Sequence, residues 1–404
     1  MQSRKKIVVV QRNYAIGINS GDKSRTLNMA NSLSNLGYEV YLVGFFTKGI
    51  LSYRKEKKQL PKGIHTFLIF SLPSSFHLHK LAGWYQAVIM WLLVKWFHID
   101  AIQAELSHAA ICTRFLPHIP LITDFHSDLV PEFEMANMPF YKIKQAADDN
   151  QWALTHSKAT ITVSRGLYEN LGEYGRLSKN YILPCSFDTG LFSSVISNEE
   201  LRQKMRNSLN IAADKIVLCY SGGLHIWQCI DETLDWVIRL KQLNQNYFLC
   251  LFTNDDISKY QCKLEQLGSD YLVKGLSRSE MPAYLSVIDA GFVLRKNSKV
   301  NTNASPTKTA EYLAVGAMVI ATPFAGDAPE LISDSGCGVI LDSLSPTDES
   351  LQKLDEQIVK YVRHYSENSK RAKDYIYAHR AWLQNELQLK SLYEDVFNCD
   401  KDKS

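Results

Sequence analysis

The chain has 404 residues, 46% of them apolar and 22% charged; that is enough for two or three folded units and excludes a mainly disordered protein. Lysine and arginine total 45 against 42 acidic residues, a formal net charge of +3, which excludes a protein held mainly by nucleic-acid phosphates. The eight cysteines show no paired spacing of a zinc site or disulfide framework, and so point to a reducing compartment.

The N-terminus, MQSRKKIVVVQRN, is basic and then apolar. Its apolar run is too short for a secretory signal and reads as a buried strand over 7–10. A loop carrying Gly17 and Gly21 leads to a helix over 24–36, stopped at Gly37, a usual C-terminal place for glycine. Strands follow over 39–44, 66–70, 101–104, 121–124, 159–163 and 181–183. The apolar segment 81–94, LAGWYQAVIMWLLV, is too short to span a bilayer and suits either a core helix or an interfacial one. Upstream of it, RKEKK over 54–58 is either a solvated loop or a basic patch for anionic headgroups.

The pattern then restarts. Residues 186–204 lack a strand signal and read as a linker with a short helix. Strands follow over 216–220, 247–252, 271–273, 290–294, 318–321 and 338–341, and 351–396 is helical in character. Lys241 reads as a surface charge on a helix over 231–243. Short apolar runs alternating with amphipathic stretches imply parallel strands joined by helices. The expected architecture is α/β, two tandem Rossmann-like domains facing across a cleft. Their bounds are 1–187 and 188–375, with a C-terminal helix and tail over 376–404 packing back on the first domain.

The usual nucleotide motifs are absent. No GxGxxG follows a strand, and Gly17 to Ser24, GINSGDKS, misses the P-loop glycine spacing. The informative block is LRKNSKVNTNASPTKTAEYLAVGAMVIATPFAGDAPELISDSGCG, 294–338. In it Pro306 and Lys308 open a helix that contains Glu311. Free N–H groups and the positive end of a helix dipole suit a diphosphate, and a carboxylate in the first turn can accept two ribose hydroxyls. An ordinary capped surface helix has the same pattern, so both readings stand on these residues alone.

SPTKTAEYLAVGAMVIAT within that block resembles the signature of the family 4 glycosyltransferases, which have the GT-B fold. LGYEV after the first helix, LITDFHSDLVPEFE, ATITVSRGLYENL, ILPCSFDTGLF and YSGGLHIWQCIDETL are similar to further elements of that family, in the same order. The resemblance implies a retaining glycosyltransferase that moves a sugar from a nucleotide-diphosphate donor to a hydroxyl acceptor by front-face substitution. It further implies a role in cell-surface polysaccharide or glycolipid synthesis. The implied partners are the nucleotide-sugar donor, held mainly by the second domain, a saccharide or lipid-linked acceptor on the first, and an anionic membrane, with no nucleic acid. The implied location is the cytoplasm, peripheral to the inner face of the cell membrane. No cofactor or metal is expected.

The departures from the family matter as much. Its paired glutamates correspond to Asn303 and Glu311, and its diphosphate-binding arginine and lysine fall on Gly223 and Gln228. Arg295 and Lys308 are the nearest substitutes, with Lys296 and Lys299 in reserve; a solvated charge at a strand end is the other reading of Arg295. His126, beside Asp124 and Asp128, is by default a satisfied loop histidine, and the resemblance makes it a contact for the donor sugar. The expected catalytic set is His126, Arg295 and Lys308. Gly17, Gly222, Gly223, Asn303, Pro306 and Glu311 are expected around the donor. Gly17 and Gly21 allow either a close backbone approach to phosphates or acceptor, or a plain turn. Two rivals share the fold: a non-catalytic sugar-nucleotide binder and a sugar-nucleotide epimerase.

Overall fold

Each run expected as a strand forms one, and all the strands pair in parallel, as expected where both faces of a sheet are covered by helices. The structure, a computed structural model, describes residues 4–16, 21–48, 50–54, 57, 60, 63–71, 79–176, 179–196 and 199–398. It divides into two compact units, residues 1–184 with 385–404, and residues 185–384. The sequence pattern puts the boundaries at 187/188 and 375/376; the second boundary of the structure falls inside the helix Trp382–Asn398.

In the first unit, β1 (Lys6–Gln11), β2 (Glu39–Phe46), β3 (His65–Phe70), β4 (Ala101–Glu105), β5 (Leu121–Phe125), β6 (Ala159–Thr162) and β7 (Lys179–Ile182) form one sheet. The order is β3-β2-β1-β4-β5-β6-β7. Strand order reverses at β1 and β4, whose last residues pair as Gln11 with Glu105. Ligands of open parallel sheets bind beyond the carboxyl ends of the strands at such a reversal. The helix Trp382–Asn398 ends in this unit. Tyr393, fully buried, donates to Gln103 Oε1 at 3.0 Å, and Ser32 donates to Glu386 at 2.9 Å.

The segment 81–94 forms part of the helix His79–Phe97. Ala82, Ala87, Met90 and Val94 are buried, whereas Leu81, Trp84, Trp91, Leu92 and Trp96 are exposed. The helix is therefore neither wholly core nor wholly interfacial. No described helix is long and apolar enough to cross a membrane. Most of RKEKK lies outside the described residues.

In the second unit, β8 (Ile216–Ser221), β9 (Tyr247–Phe252), β10 (Tyr271–Lys274), β11 (Ala290–Val293), β12 (Met318–Ala321) and β13 (Gly338–Ile340) form a sheet of order β10-β9-β8-β11-β12-β13. Its reversal lies between β8 and β11. Trp236 fills the core, and its indole N–H donates to Leu344 O at 2.8 Å. The expected linker forms two helices, Thr189–Ile196 and Glu199–Ser208. Arg202 and Arg206 of the second converge on buried Asp289, each at 2.6 Å, which turns a polar stretch into an anchor. Lys241 is buried and pairs with Asp270, so it is not a surface charge.

Candidate functional site

In the second unit the strand reversal gathers a cationic site. β8 runs out through Ser221 into Gly222, whose φ of +121° favours glycine. Tyr312 lies against Gly291 of β11, where an added Cβ would meet its ring at 2.2 Å. Its hydroxyl accepts the Ser221 N–H at 2.9 Å and so fixes the turn. From the helix Thr307–Ala314, N-capped by Pro306, Lys308 reaches under that turn. A Cβ on Gly222 would lie 3.3 Å from Lys308 Nζ. That nitrogen donates to Gln228 Oε1 at 2.9 Å and lies 4.0 Å from the centre of the Tyr220 ring. The ammonium thus stands beside Gln228, where the resemblance expects a lysine.

Arg295 follows β11 and is only 3% exposed, so it is not a solvated charge at a strand end. Its backbone N–H donates to Thr322 Oγ1 at 2.8 Å, and its guanidinium to Leu294 O at 2.7 Å. Among the described residues neither Arg295 nor Lys308 has a carboxylate within ion-pair distance. Burial, reinforced by Arg295, holds the Lys308 amine well below the usual lysine range, and burial also lowers Arg295. Such a pair is costly to bury unless an anion joins it.

Glu311 lies three residues beyond Lys308 and faces the same side of the helix. It is partly buried, and its carboxylate has no hydrogen-bond partner among the described residues. Burial pushes its carboxyl up to about 7, against the opposing pull of Lys308 and Arg278. Asn303 is buried and closes the short helix Lys299–Thr302. Lys296 is committed to Glu232 at 2.7 Å. A Cβ on Gly223 would come within 3.2 Å of the His225 ring, so an arginine there requires His225 to move.

The second cluster lies in the first unit. The His126 side chain, 7% exposed, follows β5, with Nδ1 3.8 Å from Glu105 Oε2 and Nε2 3.5 Å from Asp22 Oδ1. Neither ring nitrogen makes a hydrogen bond among the described residues. Burial lowers its proton affinity despite the acids around it. Arg25 grips both oxygens of buried Asp124, at 2.7 and 2.9 Å. Glu105 accepts from Gln103 at 3.0 Å, and burial, with Asp124 nearby, raises its carboxyl well above the usual range. Asp128 is a structural hub, accepting from Val130 N–H, Asn150, Asn170 and Tyr174.

Ligand atoms of Glu105, Asp124 and His126 lie within 4.8 Å of one another, a spacing that could hold a metal ion. Arg25 already occupies both Asp124 oxygens, and its charge opposes a second cation there. Gly17 lies outside the described residues, and an added Cβ at Gly21 meets nothing within 4 Å. Sequence reasoning missed Arg25, Glu105 and Tyr220. Arg25 and Asp124 are distant in sequence, and Tyr220 reads as an ordinary strand aromatic.

Residues 21–191 match the family model described as Glycosyltransferase Family 4. No curated protein sequence matches the chain. Among solved structures, sucrose-phosphate synthase from Thermosynechococcus elongatus is similar with a TM-score of 0.76 at 14% identity, over 98% of this chain and all of its own. HepE of Anabaena, solved in complex with UDP-glucose, has a TM-score of 0.72 at 16% identity, over 96% and 99%. WaaG, a glycosyltransferase involved in lipopolysaccharide biosynthesis, has 0.71 at 14%, over 95% and 98%. At these identities the likeness shows the fold alone, and the likeness to the family is that of the matched segment. The matched segment makes up most of the first unit, and the fold over both units is the GT-B fold of those structures.

Proposed function

We propose that the chain transfers a sugar from a nucleoside diphosphate to a hydroxyl acceptor with retention at the anomeric carbon, in the assembly of cell-surface polysaccharide or glycolipid. The observation that carries the reading is the pair of basic side chains, buried Arg295 and half-buried Lys308, without an anionic partner among the described residues and beside the Gly222 turn. As the bond from C1 to the phosphate oxygen breaks, negative charge grows on the departing diphosphate, and donors already in place stabilise it. The acceptor oxygen bonds C1 on the same face, and its proton passes to the departing phosphate oxygen. In this scheme no enzyme carboxylate attacks the sugar, unlike a retaining glycosidase with its paired acids. Glu311 accepts from the ribose hydroxyls, Asn303 and His126 contact the sugar, and the two cations make a metal unnecessary. The UDP-glucose complex of HepE supports the donor class, and the role of WaaG supports the surface glycan.

Peripheral attachment to the inner face of the cell membrane belongs to the same proposal. Its support is the exposure of Trp84 and Trp91 on one side of the helix and of Trp96 near its end, with exposed Lys95 beside the last. Aromatic side chains lodge at the headgroup level of a bilayer, and basic ones add attraction to anionic lipid. The test of function is a panel of nucleotide sugars, with and without a chelator, assayed for release of nucleoside diphosphate. Release that needs an acceptor, survives the chelator and leaves the anomeric configuration unchanged by NMR supports the proposal. Nucleotide binding without release points to the non-catalytic binder. A sugar altered while still on its nucleotide points to the epimerase.

A further inference from the structure

We infer that the first unit holds a site for a phosphate-type oxyanion carried by the acceptor, built from the guanidinium groups of Arg12 and Arg114 over Gly83. The inference rests on the reading of this unit as the acceptor side. Arg12 is the first residue beyond β1, at the strand reversal where an open sheet binds its ligand. Arg114, 102 positions further on, caps the helical turn Ile111–Thr113 in the connection between β4 and β5. A Cβ built on Gly83 would lie 3.0 Å from a terminal nitrogen of Arg114 and 3.6 Å from one of Arg12. The two nitrogens are therefore no further apart than the sum of those distances. A tetrahedral oxyanion, with charge-assisted contacts of about 2.8 Å to each, bridges such a gap.

The local surroundings leave the pair short of negative charge. Arg12 makes one long contact, to His108 O at 3.4 Å, and Arg114 lies 5.7 Å from the Phe115 ring centre. Neither has an ion pair among the described residues. Asp149 is the acid that faces both, yet it stays beyond ion-pair distance, and burial pushes its carboxyl up to about 7. Asn13 Nδ2 and His108 Nε2 lie 3.4 Å apart at the rim, and His108 Nδ1 is buried without a partner among the described residues. His108 is close enough to His126 for their charges to interact, so the anion would bind near the proposed sugar contact. Gly83 is buried inside the helix His79–Phe97, one turn from its start, where glycine is unfavourable. Its missing side chain is what makes room for the two guanidinium groups.

Equilibrium dialysis of the full chain against labelled pyrophosphate at low salt tests the site. We expect two classes of binding. One weakens at least tenfold in Arg12→Ala, in Arg114→Ala and in Gly83→Ala, which keeps both charges but crowds them. The other weakens in Arg295→Ala and Lys308→Ala. Gly83→Ala should keep the wild-type melting temperature, since alanine favours the helix. A single class lost only with Arg295 or Lys308 overturns this inference and leaves the donor site standing. A single class lost only with Arg12 or Arg114 does the reverse. Competition by octyl diphosphate, the lipid-linked type, or by glucose 1-phosphate, the soluble type, identifies the source of the oxyanion. Competition by neither overturns the assignment to an acceptor.

Discussion

Glu311→Gln separates the cost of the carboxylate from its use. Burial moves this carboxyl from its ordinary 4.5 to about 7. At about 1.4 kcal/mol for each pH unit, that is about 3 kcal/mol spent on keeping the ion in place, an upper figure because the side chain keeps some exposure. A raised carboxyl is one whose folded form binds its proton more tightly than the unfolded form. Its contribution to stability is therefore full below pH 4.5 and is lost as pH rises through about 7. Glutamine has no such loss. In a unit of this size about 1 kcal/mol corresponds to roughly 2–4 °C, so Glu311→Gln should melt several degrees above wild type at pH 8 and almost level with it at pH 5. Nucleotide binding should move the other way. Losing a charged hydrogen bond costs about 2 kcal/mol, roughly thirtyfold in affinity, and wild-type affinity should itself fall as pH drops below 7. Differential scanning calorimetry and titration calorimetry with a nucleoside diphosphate at the two pH values measure both trends. Unchanged affinity, or a mutant less stable than wild type at pH 8, would refute the assignment of this carboxylate to the ribose.

Arg295→Ala and Lys308→Met should each lower kcat by about a hundredfold or more, against no change for Lys353→Ala, an exposed helix position; because burial works against the amine, Lys308→Met should not lower the melting temperature. Arg25→Ala leaves Asp124 charged and buried, and calorimetry should show a loss of about 3–5 kcal/mol, recovered in large part by adding Asp124→Asn; a loss below about 1 kcal/mol would show that water reaches the aspartate. Co-sedimentation with anionic vesicles should exceed that with neutral ones, weaken in high salt and fall further in a Trp84→Ala, Trp96→Ala double variant; equal binding to both lipids would remove the electrostatic part of the membrane proposal.

The strands were legible because a parallel sheet covered on both faces demands continuous apolar runs, and IVVV, YFLCLF and MVIA are such runs. The helix with Lys308 and Glu311 was legible because the spacing of those residues fixes their common face. What the sequence hides is partnership across distance. Arg25 meets Asp124 from 99 positions away, and Arg202 meets Asp289 from 87; no local pattern announces either pair. Lys241 misled for the same reason, because its helix position suits solvent and only the folded chain brings Asp270 to it. The helix His79–Phe97 resisted a single label since its apolar residues are spread round the whole circumference, leaving periodicity little to report.

The return of residues 385–404 to the first unit bears on how the chain is made. When Pro184 leaves the ribosome, the sheet of that unit still lacks the aromatic side chain of Tyr393 against Tyr38 and the oxygen of Glu386 that receives Ser32. About 200 residues must be synthesised before those groups arrive, which at roughly 5–20 residues per second takes about 10–40 s. The second unit can complete itself within that interval. The first can only wait, with Tyr38 and Gln103 uncovered, until the helix Trp382–Asn398 emerges and closes it.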